Sequence, residues 1–176
     1  EAELGAALET KYEFIDPVPL AAASLGQVHS ARLQKNDAYG GEDGGEDGEV
    51  NVVVKVQRPD IEKIIATDLS AIRRVGRWLR WYKPVSKRAD IPALLAEFSR
   101  TLYEEIDYLA EGKNAETFAA NFKGEAGVLV PRVIWTHTTR RVLTLQDVGG
   151  IKITEYDQIS AAGIDRKEVA NRLIST

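Results

Sequence analysis

The sequence predicts an α+β fold built on a mostly antiparallel sheet of about five strands. Three short extended segments come first, with no long helix between them. Two long stretches with apolar stripes at helical spacing follow, and a second group of extended segments comes after these. The order strand, strand, strand, helix, helix, strand, strand, helix is not the alternation of a doubly wound parallel sheet.

Tyr-Glu-Phe-Ile at 12–15 reads as the first strand. Asp16-Pro17-Val18-Pro19 ends it, because proline denies the ladder a donor. Residues 26–33 read as the second strand, with Val28 and Leu33 among small and polar residues. Residues 50–57, Val-Asn-Val-Val-Val-Lys-Val-Gln, are rich in β-branched side chains and read as the third. Between the second and third lies a duplicated Gly-acid repeat, Gly40-Gly41-Glu42-Asp43-Gly44-Gly45-Glu46-Asp47-Gly48. Such a segment cannot offset its ordering entropy and is expected to be a floppy hairpin loop. An EF-hand calcium loop needs flanking helices and a distal Glu at fixed spacing, whereas strands flank this one.

The first long helix is expected to begin near Pro59, allowed in a first turn. Ile61, Ile65, Ile72, Val75, Leu79 and Tyr82 fall on one stripe, and Pro84 ends it. Asp90 is the expected N-cap of the second, with Pro92 in its first turn. Ile91, Leu94, Leu95, Phe98, Leu102, Ile106 and Leu109 form its apolar face, and it runs to about Phe122 with a bend or interruption near Gly112. Residues 130–136 and 141–145 read as a strand pair around His137-Thr138-Thr139-Arg140. Gly149-Gly150 breaks the chain, and two short helices follow at roughly 154–162 and 165–176, the second capped by Asp165.

At 176 residues and 44% hydrophobic, the chain has the size and core of one ordinary domain. It holds no cysteine, which excludes disulfides, zinc thiolate sites and thiol catalysis. No apolar run approaches the ~18 residues of a membrane span. The net charge of −4 hides segregation. Residues 37–49 hold six acids and no base, and without them the remainder carries +2. Residues 61–88 hold eight bases against two acids. The start at Glu1, the lack of any Met and the helical stretch at 174–176 read as cuts within a longer polypeptide.

Three places can carry chemistry. Ala21-Ala22-Ala23-Ser24-Leu25-Gly26 lies between the first two strands. A tight turn of small residues there either packs closely or lets backbone N–H groups approach a phosphate chain. Lys55 sits within Val54-Lys55-Val56, in the middle of a strong apolar strand. It either faces solvent or is buried beside a partner, since burying it unpaired is costly. Its setting matches the lysine that holds phosphates in kinases and pairs with a helix glutamate. Glu104, Glu105, Asp107 and Glu111 crowd one helical stretch; at about 100° per residue Asp107 and Glu111 share a face and Glu105 points away from both. Those acids supply a partner for Lys55 and a separate acidic group, or form a solvated face.

Taken together, the Ala-Ala-Ala-Ser turn, the Val-Lys-Val-Gln-Arg-Pro strand and Glu-Ile-Asp-Tyr-Leu-Ala-Glu-Gly-Lys-Asn resemble the UbiB-type (aarF-domain-containing, ADCK-like) atypical kinase-like family, from about residue 3 to the end. The resemblance implies a kinase-like N-lobe over residues 1–150, with a long glutamate-bearing helix and a family-specific extra helix, and the start of a C-lobe over 151–176. It implies that Ala21, Ala22, Ala23, Ser24 and Val28 cover nucleotide phosphates, and that Lys55 binds phosphate and pairs with Glu111. Glu105 and Asp107 match the family's E-x-D element, a regulatory or nucleotide–metal contact. Leu145 takes the gatekeeper position of a hinge strand whose backbone near Gln146 and Val148 binds adenine. The cofactor implied is ATP or ADP with Mg in the full-length protein. The family usually has Glu where Gln146 stands, and the acidic loop at 37–49 is longer than typical.

Asp147-Val148-Gly149 is not a D-F-G magnesium motif, since no catalytic loop precedes it and neither His29 nor His137 is followed by Arg-Asp. The family's K-x-G-Q helix is expected before Glu1, and its catalytic loop and D-F-G after Thr176. Without a base or metal ligands, residues 1–176 alone are expected to be inactive. The parent is expected to be an ATP-binding kinase-like enzyme or ATPase supporting isoprenoid-quinone or lipid metabolism. A protein or small-molecule kinase and a non-catalytic nucleotide-sensing scaffold are the alternatives. Arg73, Arg74, Arg77, Trp78, Arg80, Trp81, Tyr82 and Lys83 pair bases with interfacial aromatics, so the helix at 59–83 is either a membrane-surface contact or a lobe-packed helix with solvated arginines. Bases and aromatics form no extended patch for nucleic acid. The expected location is the cytoplasm, at a membrane surface where that contact is made, or an organellar matrix in a eukaryote.

Overall fold

A computed structural model describes residues 3–22, 25–34, 50–79 and 90–175. The acidic repeat at 37–49, the turn residues Ala23 and Ser24, and the end of the basic helix with Tyr82 and Pro84 lie outside the described residues. Five strands form one sheet: β1 (Tyr12–Ile15), β2 (Ala21–Ala22), β3 (Gly26–Leu33), β4 (Asn51–Gln57) and β5 (Val142–Gln146). The order is β1-β3-β4-β5, with β2 also on β3, and every pairing is antiparallel. The fold class is therefore the one the sequence predicts.

β1 and β2 are two pieces of one interrupted edge strand. β1 pairs with residues 31–33 of β3 and β2 with residues 27–28. Pro17 and Pro19 lie between them and can donate nothing to the ladder. The chain leaves the sheet after Asp16, whose N–H still reaches the Ser30 carbonyl at 2.8 Å, and returns at Leu20, which donates to the Val28 carbonyl at 2.8 Å. Ala21 and Ala22, expected in a tight turn, are instead strand residues.

Among the described residues six helices accompany the sheet: α1 (Leu8–Lys11), α2 (Ile61–Leu79), α3 (Ile91–Glu105), α4 (Tyr108–Asn121), α5 (Tyr156–Ala161) and α6 (Arg166–Ser175). Alternation along the strands divides the core in two. One face packs Tyr12, Ala31, Leu33, Val52, Val54, Ile134 and Val142 beneath the N-terminal Leu4 and Leu8. The other packs Leu143 and Val133 against Tyr108 of α4. A third cluster joins α2 to α3 through Ile61, Ile65, Leu69 and Ile106. At the far end of this hairpin Gly76 brings α2 against Ile91 and Leu95, where a Cβ would come within 2.8 Å of Leu95.

Three expectations are corrected. The long second helix breaks at Ile106–Asp107, not near Gly112. Asp107 caps a new helix, its carboxylate accepting from the Leu109 and Ala110 N–H groups at 3.1 and 3.2 Å. The carbonyl of Ile106 is taken by the Gln57 side-chain amide, and the Tyr108 N–H goes to the Arg140 carbonyl at 3.2 Å. Those three diversions consume groups a continuous helix needs. Secondly, residues 130–136 form no strand: Pro131 cannot donate, only Val133 bridges to Leu145, and the chain tightens into a 3₁₀ turn at Trp135–His137. Thirdly, the α2 stripe is only half buried. Ile61 and Ile65 are inside, joined there by Leu69, while Ile72 and Val75 are exposed.

Behind the sheet a buried polar chain ties the N-terminal segment down. Thr144 donates to the His137 carbonyl at 2.8 Å and lies 3.2 Å from the Tyr12 hydroxyl, and His137 Nε2 is 3.1 Å from the Lys11 carbonyl. Thr144 and His137 are both fully buried. Breaking a buried hydrogen bond while leaving its partner in place costs about 1–3 kcal/mol. Thr144→Val should lower stability to urea by about that much, with an unchanged denaturant slope.

Candidate functional site

The register of β3 on β4 decides what shares the inner face. Val28 stands directly opposite Lys55, Ala21 opposite Val28, and Leu143 opposite Lys55 on the other side. Val53, two residues from Lys55 and on the same face, stands opposite Leu145. Ala21, Val28, Lys55 and Leu145 thus lie on one sheet face.

The helix break places the partner of Lys55. Because α4 starts afresh at Tyr108, Glu111 falls in its first turn. The Lys55 ammonium donates to both Glu111 carboxylate oxygens at 2.8 Å. The two side chains keep 33% and 41% of their exposure, so solvent screens the pair and it contributes about 0–1 kcal/mol to stability. An ammonium has three N–H donors, and two are engaged here.

Several residues that sequence reasoning passed over support this geometry. Tyr108 is 1% exposed, and its ring lies 4.7 Å from the Lys55 ammonium. Gln57, buried at the end of β4, bonds the carbonyls of Ile106 and Arg140 and so pins the helix break to the sheet. Gly112, next to Glu111, packs on Trp135, where a Cβ would come within 2.9 Å of the indole ring. The Trp135 N–H donates to Glu116 at 2.6 Å. Tyr108 stood in the acid-rich motif but its bulk carried no signal of its own, and Gln57 gave none.

The remaining candidates are placed as follows. Asp107 is committed through Oδ1 to capping α4, and its Oδ2 lies 4.0 Å from Arg140. Glu105 is exposed at the C-terminal end of α3. The break separates Glu105 and Asp107 from the single-helix geometry expected of them. The Gln146 N–H is taken by the Arg132 carbonyl at 2.8 Å. Val148 is 40% exposed, and among the described residues its backbone groups make no hydrogen bond. Gly149 and Gly150 follow with φ of 61° and 110°, left-handed conformations that glycine adopts without strain. Among the described residues no cluster of three or more His, Asp or Glu side chains is placed to hold a metal ion.

Burial, with the Glu111 and Glu105 charges adding to it, pushes the Tyr108 phenol up from 10.0 to about 12. A raised folded pKa gives stability that is complete below the unfolded value and lost as pH rises through the folded one. Between pH 10 and about 12 this group alone should remove about 2–3 kcal/mol. Urea denaturation from pH 9 upward should show a shallower alkaline fall in Tyr108→Phe than in the wild type.

The family model described as the ABC1 atypical kinase-like domain matches residues 1–176. The chain is 38% identical over 178 residues to ACTIVITY OF BC1 COMPLEX KINASE 8, chloroplastic, of Arabidopsis thaliana, covering all of this chain and 22% of that protein. It is 35% identical over 172 residues to a probable protein kinase UbiB of Xylella fastidiosa, covering 98% of this chain and 29% of the other. The structure of the Rv3197–erythromycin complex from Mycobacterium tuberculosis superposes with a TM-score of 0.65 at 25% identity, covering 89% of this chain and 35% of that one. The chain spans roughly a quarter of the length of the curated relatives it matches. With a family model over its whole length, and the five-stranded antiparallel sheet beside a glutamate-bearing helix, the chain belongs to the ABC1 atypical kinase-like family, that of the UbiB and ADCK-type proteins.

Proposed function

We propose that this domain binds ATP or ADP on the inner face of the sheet, as the nucleotide-holding lobe of an atypical kinase or ATPase. The Lys55–Glu111 pair carries the reading. A solvent-screened pair that adds little stability, held bidentate at the centre of an otherwise apolar strand, is better explained by what its third N–H can bind. A phosphate oxygen suits that donor. Ala21 and Val28 lie beside Lys55 on that face and offer small side chains for the phosphate chain, whereas Ala22, opposite Gln27, belongs to the other face of the sheet. Leu145 sits beneath the adenine, and the exposed Val148 backbone supplies its hydrogen bonds. Gln146 contributes through its carbonyl, because its N–H is engaged by Arg132.

The residues divide the work between two lobes. Residues 1–150 form the nucleotide lobe, and 151–176 begin the second. The ligands of the magnesium that accompanies ATP, and the base, are assigned by family resemblance to the catalytic loop and D-F-G of the full-length protein. Glu105, exposed at the end of α3, acts as the regulatory acidic group, with Asp107 fixing the start of α4. The names of the relatives support phosphoryl chemistry. A role in isoprenoid-quinone or lipid metabolism rests on the family alone. A protein or small-molecule kinase needs the same residues; a nucleotide-sensing scaffold would change partner binding without consuming nucleotide.

Calorimetric titration with ATP should give binding that Lys55→Ala weakens at least about tenfold, while its unfolding midpoint stays within about 1 kcal/mol of wild type. Equal affinity in the variant sinks the nucleotide reading. Purified residues 1–176 should not turn ATP over.

The basic helix α2 leaves Val75 and Trp78 exposed beside Arg74 and Arg77, and α3 exposes Leu94 and Phe98. No described helix is long and apolar enough to cross a membrane. A peripheral contact would require flotation with anionic vesicles, lost on Trp78→Ala; no flotation removes that partner from the proposal.

A further inference from the structure

We propose that Tyr108 is a positioning residue that fixes the Lys55 ammonium relative to the turn at Gly26; the inference rests on the nucleotide reading of the site. Three observations meet at this side chain. Its ring face lies 4.7 Å from the Lys55 ammonium, which Glu111 grips through both oxygens. Carboxylate and ring together hold the ammonium from two directions and leave one N–H for a ligand. Its hydroxyl fills the space that a side chain at Gly26 would occupy: a Cβ there would run into the Val56 carbonyl and come within 2.9 Å of the Tyr108 oxygen. Gly26 is the first residue of β3, two residues before Val28, which stands opposite Lys55. One rigid ring therefore spans from the turn to the lysine.

The third observation is the hydroxyl itself. It is buried, and among the described residues it has no hydrogen-bond partner. A buried phenol without a partner is a poor choice for a core filled only for stability, where phenylalanine avoids the desolvation penalty. Its place is set instead by the space that the missing side chain at Gly26 leaves. The backbone of Tyr108 is fixed as well, by its N–H to the Arg140 carbonyl and by the Asp107 cap one residue before it. A ring anchored at both ends sets the distance between the turn and Lys55 with little freedom.

The test compares Tyr108→Phe, which keeps the ring, with Tyr108→Leu and the more pliable Tyr108→Met, which do not. The first measurement needs no nucleotide. In spectra of ¹³C-methylated lysines, with Lys55 assigned through Lys55→Arg, the Lys55 signal should be shifted upfield by the ring in wild type and Tyr108→Phe, and not in the leucine or methionine variants. The second is ATP affinity by calorimetry. Tyr108→Phe should bind within about twofold of wild type, and the ring-free variants about five- to tenfold more weakly. The unfolding midpoint of Tyr108→Phe should equal or exceed that of wild type. Ring-free variants that bind ATP as wild type does, or a Tyr108→Phe that weakens along with them, overturn the proposal and leave the nucleotide reading intact. A wild type that shows the ring shift but binds no ATP overturns the nucleotide reading and leaves the placement of Lys55 standing.

Discussion

Lys55, an ammonium in the middle of an apolar strand, is met by a carboxylate from another element, and much of the structure around it is arranged to bring that carboxylate there. β4 runs through the centre of the sheet with valines before and after the lysine, whose side chain keeps a third of its exposure. The counter-charge comes from a different element, α4, and reaches it only because the preceding helix stops one turn earlier. Each feature of that stop has a local cause. Asp107 caps the new helix, Gln57 takes the carbonyl of Ile106, and the Arg140 carbonyl takes the Tyr108 N–H. The break is thus built partly from β4 itself, through Gln57, two residues beyond the lysine it serves.

That arrangement explains why the sheet was readable from the sequence while the helix break was not. β3 and β4 declare themselves through β-branched density and alternation, and their limits agree with the expectation to within a residue. Asp107, by contrast, sits in an acid-rich stretch whose apolar period runs on to Leu109 without a gap. Periodicity is blind to a carboxylate that turns back onto its own backbone. Gln57 is equally silent, because its two acceptors lie 49 and 83 residues away. The missing strand at 130–136 has a local cause that was visible: Pro131 removes a donor near its start.

The chemistry-bearing residues were legible for a different reason. Lys55 and the acids of 104–111 are unusual by type in their settings, so their positions attract notice even when their geometry is unknown. What positions them is made of ordinary residues: a tyrosine, a glutamine, two glycines and a tryptophan. Supporting residues of this kind carry meaning only through distance, which a linear chain does not display.

Gly112 shows how far that principle reaches. It is the immediate neighbour of Glu111 and lies flat on the indole of Trp135, with no room for a single methyl group. Adding one requires the indole or α4 to shift, and any roll of α4 on its long axis is magnified along the arm of the glutamate. The electrostatic pairing is in this sense held under a steric lock, and a change that alters no charge and touches neither partner is enough to open it.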